Sequence, residues 1–143
     1  MRRYAEVDVF ATGPLTGNPL AVVVDGEGIP EDRMQAFAAW TNLSETTFLL
    51  PATDPEADYL VRIFTPVREL PFAGHPTLGS AATWLAAGGT PRRDGVVVQQ
   101  CGIGRVAARR SAAARTTWWH TSGASTGRNG RWCSSDRRPW SGP

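Results

Sequence analysis

The order of apolar and polar positions predicts several strands in the first 110 residues. Residues 4–11, YAEVDVFA, alternate between apolar and acidic side chains, which is typical of a strand with one buried face. Further runs of apolar and β-branched residues, most of them closed by a proline or by glycine, indicate more strands. These strands are predicted at 20–26, 45–51, 59–66, 95–100 and 103–110. The polar stretch 12–19, which contains Asn18, is predicted to be a turn.

Two segments have the composition and spacing of helices. Residues 30–41 begin with a proline and two acidic residues, and their apolar residues recur at helical spacing. Residues 77–89, TLGSAATWLAAGG, carry no charge, and a helix that is apolar on all sides belongs inside a core. The stretch 65–76 before it is rich in proline and glycine and is predicted to be neither strand nor helix. The sequence therefore predicts an α+β fold in which a sheet encloses a central helix.

The last part of the chain, residues 111–143, breaks this pattern. It contains no Val, Ile, Leu, Met or Phe, but it is rich in arginine, serine, glycine and tryptophan. We predict a structured lobe at 1–110 and an irregular basic tail at 111–143 that is out of frame or disordered. One interpretation is that the reading frame is lost between about 105 and 115. The other is a basic aromatic arm that binds nucleic acid.

Composition restricts the class of protein. The chain has 143 residues, enough for one domain with a buried core, and its formal net charge is +2. No apolar run is long enough to span a bilayer and the first residues do not resemble a signal peptide, so a cytoplasmic protein is expected. Cys101 and Cys133 are interpreted as two unrelated thiols. No metal-binding or phosphate-loop pattern occurs, so neither a metal nor a cofactor is predicted.

His75 lies in the glycine-proline stretch that leads into the uncharged helix. A helix beginning near Pro76 or Thr77 would have free amide N–H groups and a positive dipole end there, which together attract a carboxylate or phosphate. Gly74 and Gly79 would allow a ligand to approach the backbone closely. The alternative interpretation is a histidine whose hydrogen bonds are satisfied within a turn.

Glu45, in the segment NLSETTF, lies between the first predicted helix and a predicted strand. A carboxylate buried at such a junction has a raised pKa, so it can accept and return a proton near neutral pH. A glutamate at a helix end or on the surface is the alternative interpretation. For Asn18, turn formation alone would explain the segment TGNPLAVV.

Four segments occur together in an order and spacing that resemble the PhzF family. They are DVFATGPLTGNPLAVV (8–23), NLSETTFLL (42–50), RIFTPVRELPFAGHPTLGSA (62–81) and VVQQCGIGRV (97–106). This family consists of phenazine-biosynthesis-like isomerases with the diaminopimelate epimerase fold, and the resemblance covers residues 4–106. It implies two similar lobes, each a mixed sheet curled round a central helix, with the active site in the cleft between them.

The resemblance also implies roles for individual residues. Glu45 matches the general acid/base that moves a proton between carbons of a small carboxylic acid, such as a dihydro-hydroxyanthranilate, without a cofactor. His75 matches the second catalytic residue. The residues expected to bind the substrate are Asn18, Gly74, Pro76 and Thr77. A small-molecule carboxylate is the expected partner, rather than nucleic acid or a membrane. The oligomeric state stays open, with a homodimer as the assembly that relatives resemble.

The chain departs from the family after the first lobe. The second lobe should supply an aspartate and another glycine-rich anion loop, and residues 111–143 resemble neither. The chain by itself is therefore expected to show little turnover. The alternative function is a catalytically inactive truncated lobe that acts at most as a binding or dimerising fragment.

Overall fold

The structure of the chain, a computed structural model, describes residues 1–110 and 119–123. Within this part, two helices and eight strands form. The helices are α1 (Glu31–Thr41) and α2 (Gly74–Ala86). The strands are β1 (Tyr4–Val9), β2 (Asn18–Val23), β3 (Glu45–Leu50), β4 (Tyr59–Phe64), β5 (Glu69–Leu70), β6 (Val96–Cys101), β7 (Gly104–Arg110) and β8 (Trp119–Gly123).

The strands form one mixed sheet in the order β1-β2-β3-β4-β6-β7-β8, and the short β5 pairs with β4. The pairs β2–β3 and β4–β6 are parallel, whereas the other neighbours are antiparallel. Each parallel pair is joined through a helix, as parallel strands require a crossover. The predicted α+β class with a mixed sheet is confirmed.

The sheet curls round α2. This helix contacts β1, β2 and β3 on one side and β6, β7 and β8 on the other, so both ends of the sheet reach it. Every residue from His75 to Ala81 is buried. The uncharged sequence of α2 explains this position, because a charged side chain would lose its hydration there without gaining a partner. The predicted central helix is therefore confirmed.

Two apolar clusters cover the two faces of the sheet. The inner cluster packs against α2 and includes Leu20, Leu49 and Ile63 from three adjacent strands. The outer cluster packs against α1 and includes Met34, Phe48 and Phe64. Because side chains alternate along a strand, β3 and β4 contribute to both clusters. This alternation decides which side of β3 the residues near its beginning face.

Two predicted boundaries are corrected. Helix α2 begins at Gly74, earlier than the predicted Pro76 or Thr77. Pro76 is tolerated because the first N–H groups of a helix have no acceptor within it, so a missing donor costs nothing. Asn18 and Pro19, predicted in a turn, begin β2 instead, where Asn18 pairs with Val9 of β1. The ladder with β3 begins only at Leu20, so Pro19 lies outside it.

Strand β5 (Glu69–Leu70) lies within the stretch 65–76, which was predicted to contain neither strand nor helix, and it pairs with β4. Strand β8 is a second element that the sequence did not predict. Its backbone pairs antiparallel with β7, from Arg110 opposite Trp119 to Val106 opposite Gly123. The predicted irregular tail therefore contains a strand at 119–123. The rest of the predicted tail, 111–118 and 124–143, lies outside the described residues.

Neither of the two helices in the described part of the chain is long and apolar enough to cross a membrane.

Candidate active site

Asn18, Glu45 and His75 lie at one edge of the curled sheet. Asn18 begins β2, Glu45 begins β3, and His75 is the second residue of α2. The beginnings of β2 and β3 lie side by side because these strands are parallel, with Leu20 opposite Glu45. The fold therefore brings together three of the predicted site residues from distant parts of the sequence.

Glu45 faces the central helix. It shares a face of β3 with Thr47, whose hydroxyl accepts a hydrogen bond of 2.9 Å from Ser80 of α2. The next residue on that face, Leu49, belongs to the inner cluster. The Glu45 side chain is only 17% exposed, which is unusual for a glutamate. The carboxylate of Glu45 is thus largely buried at the edge of the lobe.

The carboxylate of Glu45 and the imidazole of His75 lie close together without a hydrogen bond. Glu45 Oε2 is 3.4 Å from His75 Nε2. Both atoms are buried, and neither has a hydrogen-bond partner among the described residues. A buried polar atom without a partner is costly, and such atoms concentrate where a ligand or a reaction needs them. These two unsatisfied atoms mark the centre of the candidate site.

Burial shifts the two ionisable groups in opposite directions. It raises the pKa of the Glu45 carboxyl above its ordinary value of 4.5, because the anion loses hydration. It lowers the pKa of the His75 imidazole below 6.5 for the same reason, since here the protonated form carries the charge. The neutral imidazole is therefore favoured at neutral pH. Glu45 moves toward the pKa range in which a group can both take and return a proton.

Asn18 contacts the other nitrogen of the imidazole. Its side-chain Nδ2 lies 3.2 Å from His75 Nδ1. The substrate-binding role expected of Asn18 stays a prediction. What the structure adds is a link between Asn18 and His75 that neither the turn chemistry nor the spacing of the two residues could indicate.

The beginning of α2 is open to an anion. Its N-cap residue, Ala73, has no side chain that could accept a hydrogen bond. Within the described residues, the N–H groups of Gly74 and His75 have no acceptor, and Pro76 has no N–H. Free donors and the positive end of the helix dipole favour a carboxylate there. Gly74 is exposed, and a Cβ at this position would meet no atom within 4 Å.

Thr77 faces the interior rather than the open edge. Its N–H donates to Ala73 O at 3.3 Å, and its hydroxyl donates to the same carbonyl at 2.9 Å. The hydroxyl also accepts a hydrogen bond of 2.8 Å from Gln99. Thr77 is fully buried. The predicted contact between Thr77 and a substrate therefore gains no support from the geometry. Pro76 is buried as well and can offer only its ring and carbonyl.

A buried hydrogen-bond chain supports the beginning of α2. Tyr59 donates its hydroxyl proton to Gln99 Oε1 at 3.2 Å, and Gln99 Nε2 donates to Thr77. Both Tyr59 and Gln99 are almost completely buried. Thr77 continues the chain to the carbonyl of Ala73, the N-cap residue. A glutamine within the apolar run of β6 was the available signal for this support, because a buried amide requires partners.

Within the part of the chain that the structure describes, no group of three histidine, cysteine, aspartate or glutamate side chains is arranged to hold a metal ion. Cys101, at the end of β6, is buried and forms no disulfide with any residue that the structure describes. Cys133 lies outside the described residues.

Comparison with known proteins gives a family match over most of the chain. Residues 7–128 match the family model described as phenazine biosynthesis-like protein. This range contains all the residues of the candidate site. It also extends beyond residue 110, the end of the predicted lobe.

Two curated relatives match shorter parts of the chain. Antisense-enhancing sequence 1 of Schizosaccharomyces pombe is 44% identical over 103 residues, which are 72% of this chain and 35% of that protein. The trans-2,3-dihydro-3-hydroxyanthranilate isomerase of Pseudomonas aeruginosa is 53% identical over 81 residues, 57% of this chain and 29% of that protein. The matched region thus spans about a third of the length of these relatives.

A solved structure shares the fold. The crystal structure of a phenazine biosynthesis protein of the PhzF family from Bacillus anthracis superposes with a TM-score of 0.73 at 26% identity. The superposition covers 82% of this chain and 39% of that one.

Proposed function

Since the chain belongs to the phenazine biosynthesis-like protein family, we propose that Glu45 and His75 form the proton-transfer site of an isomerase that acts on a small carboxylic acid. One observation carries this proposal. Glu45 Oε2 and His75 Nε2 are buried without partners, among the described residues, beside the open beginning of α2. A substrate at this edge would supply the missing partners.

Glu45 is the proposed general base and general acid. Its carboxylate removes a proton from a carbon of the substrate and returns it to another carbon, so that a double bond moves and no atom is gained or lost. The electron pair of the broken C–H bond spreads into the conjugated part of the substrate. The raised pKa of Glu45 supports this role, because a base and its conjugate acid work best near the ambient pH.

His75 and the amides at the beginning of α2 are the proposed carboxylate-binding groups. The N–H groups of Gly74 and His75 are free among the described residues, and the helix dipole adds to their attraction for an anion. Binding at this point would hold the reacting carbon beside Glu45. Holding the reactants in place supplies a large part of the rate in such reactions, because the base need not find the substrate by diffusion.

The relative from Pseudomonas aeruginosa indicates the class of substrate. It is named as an isomerase of trans-2,3-dihydro-3-hydroxyanthranilate, an unsaturated cyclic amino acid with one carboxylate. We propose a substrate of this chemical type: a carboxylate for the amides of α2, and a C–H bond next to a double bond for Glu45.

Binding can be tested with the 143-residue chain itself. The chain, labelled with ¹⁵N, would be titrated with 3-hydroxyanthranilate, an aromatic carboxylate of similar shape. We expect the amide signals of Gly74 and His75 to shift with the ligand, and His75→Ala to weaken binding. Glu27→Gln, at an exposed site, serves as a control that should leave binding unchanged. Shifts that occur only away from the beginning of α2 would contradict the proposed carboxylate site.

Proton transfer requires a second experiment. In a chimera, residues 1–110 of this chain would replace the matching segment of the Pseudomonas aeruginosa isomerase. We expect the chimera to incorporate deuterium from D₂O into trans-2,3-dihydro-3-hydroxyanthranilate. Glu45→Gln should reduce this rate at least about 100-fold with 3-hydroxyanthranilate binding preserved, because an amide cannot cycle a proton. Unchanged exchange in the Glu45→Gln chimera would refute the role of Glu45. Glu27→Gln provides the matched control.

A further inference from the structure

We propose that Asn18 is a positioning residue that fixes the neutral tautomer of His75 with its proton on Nε2. The contact that carries this inference is the 3.2 Å approach of Asn18 Nδ2 to His75 Nδ1. An amide nitrogen can only donate, so Nδ1 must be the acceptor and carries no proton. In a neutral imidazole the single proton then lies on Nε2, the atom that faces Glu45.

The position of Asn18 is firmly held. Its backbone pairs with Val9 in the β1–β2 ladder. The turn before it is held by Asp8, whose carboxylate accepts hydrogen bonds from Thr16 N at 3.1 Å and Gly17 N at 2.8 Å. A Cβ at Gly17 would collide with the backbone of Val9, so the turn approaches β1 as closely as only glycine allows. Asn18 therefore meets His75 from a rigid element rather than from a mobile loop.

The imidazole of His75 has one charged neighbour within ion-pair distance in the described part of the chain. That neighbour is Glu45 of β3. β2 contributes the uncharged amide of Asn18, and the carboxylate of Asp8 on β1 is engaged with the turn amides. His75 itself is about nine-tenths buried, which favours its neutral form. The tautomer of the neutral imidazole therefore depends on whether Asn18 donates a hydrogen bond to Nδ1 or accepts one from it.

In this tautomer, the Nε2–H group of His75 faces the carboxyl group of Glu45. The Nε2–H group can stabilise the carboxylate form of Glu45 or donate to a bound substrate, whereas the opposite tautomer would present a lone pair to Glu45. The tautomer concerns the free chain, while its use in catalysis rests on the proposed proton transfer. A measurement on the ligand-free chain therefore tests the tautomer separately, and its result holds whether or not proton transfer is found.

Nuclear magnetic resonance can read the tautomer directly. Two-bond ¹H–¹⁵N correlations of the histidine ring show which nitrogen carries the proton, and a His75→Gln variant assigns the signals. We expect the Nε2–H form to exceed the other by about tenfold in the chain at neutral pH, as a single hydrogen bond can achieve. A predominant Nδ1–H form would overturn the proposal, because Asn18 would then present its carbonyl oxygen.

Asn18→Asp is the decisive variant, because it preserves the shape of the side chain and replaces the donor with an acceptor. We expect the proton to move to Nδ1 and the pKa of His75 to rise. Asn18→Leu, which offers neither donor nor acceptor, should give a mixture of both tautomers. Asn42→Asp makes the same change at the exposed end of α1 and should leave the ring signals unchanged. Identical ring signals in Asn18→Asp and the unmodified chain would refute the role of Asn18.

Discussion

Ser80 of the central helix donates a hydrogen bond of 2.9 Å to Thr47 of β3, and both residues are completely buried. Thr47 lies two positions after Glu45 on the same face of the strand, and Ser80 lies five positions after His75 on the helix. The bond therefore fixes β3 against α2 close to the candidate site. Thr47 in turn donates to Ala21 O of β2 at 3.4 Å, which ties the strand that carries Asn18 to the same point.

Ser80→Ala should destabilise the chain by about 1 kcal/mol, the usual net value of a buried hydrogen bond. Thr47→Val should cost a similar amount because it removes both bonds of that hydroxyl. The double variant should cost less than the two single variants together, since both lose the same bond. Urea unfolding measures all three. Strict additivity would show that the Ser80–Thr47 bond contributes nothing to stability.

Gly79→Ala should be destabilising although alanine favours helices. An added Cβ would lie 2.5 Å from Leu20 Cδ2 and 2.9 Å from Val9 Cγ2, so the helix would have to move away from β1 and β2. Overpacking of this kind costs about 1–3 kcal/mol, more than the roughly 1 kcal/mol that alanine gains over glycine in a helix. Gly74→Ala is the matched control, because open space surrounds that position. Urea midpoints should fall for Gly79→Ala only; equal midpoints would contradict the close packing of α2 on β1 and β2.

Gln99→Met should cost about 1–3 kcal/mol, because it leaves the Tyr59 and Thr77 hydroxyls with fewer partners in a buried place. Tyr59→Phe removes a single hydroxyl and should cost about 1 kcal/mol. Hydrogen exchange of the Thr77 amide should accelerate more in Gln99→Met than the loss of global stability alone explains, since the first turn of α2 loses its support. An unchanged exchange rate would show that the chain from Tyr59 to Ala73 does not stabilise that turn.

Glu45→Gln should become more stabilising as the pH rises. The folded chain raises the pKa of Glu45 above 4.5, so the folded state binds a proton more tightly than the unfolded state. The free energy of unfolding of the unmodified chain therefore falls as the pH rises from 4.5 to the raised pKa of Glu45. Above that pKa the loss stays constant. The uncharged amide of the variant carries no such penalty. Unfolding measurements between about pH 4 and 8 should show the variant gaining relative to the unmodified chain; a constant difference would contradict the raised pKa.

His75→Gln should reduce the loss of stability on the acid side. Burial lowers the pKa of His75 below 6.5, so the unfolded chain takes up the proton first as the pH falls. Stability then falls as the pH drops through 6.5 toward the lowered value. The comparison is between the Glu45→Gln variant and the double variant that also carries His75→Gln, because Glu45→Gln removes the opposing effect of the carboxyl. There the slope between about pH 7 and 5 should be shallower with His75→Gln than with the native histidine. Equal slopes would show that His75 does not titrate differently on folding.

The sequence by itself determined the six longer strands of the first lobe, which are β1 to β4, β6 and β7, and the buried position of α2. Both follow from local features: alternation along a strand and the absence of charge along the helix are visible without knowing the partners. Residue chemistry made Glu45 and His75 candidates, but it left a surface glutamate and a histidine satisfied within a turn as alternatives. The resemblance to the PhzF family added their roles as expectations.

Only the tertiary structure decided how these elements meet. A hydrogen-bond chain joins the first turn of α2 to Gln99 and Tyr59, and three elements must pack before this chain exists. Strand β8 has no alternating pattern and forms because its backbone pairs with β7. The contact of Asn18 with His75 likewise arises from the packing of α2 against β2. Hydrogen bonds between groups that are distant in the sequence are difficult to predict from the local sequence, since any residue of suitable size and polarity can be a partner.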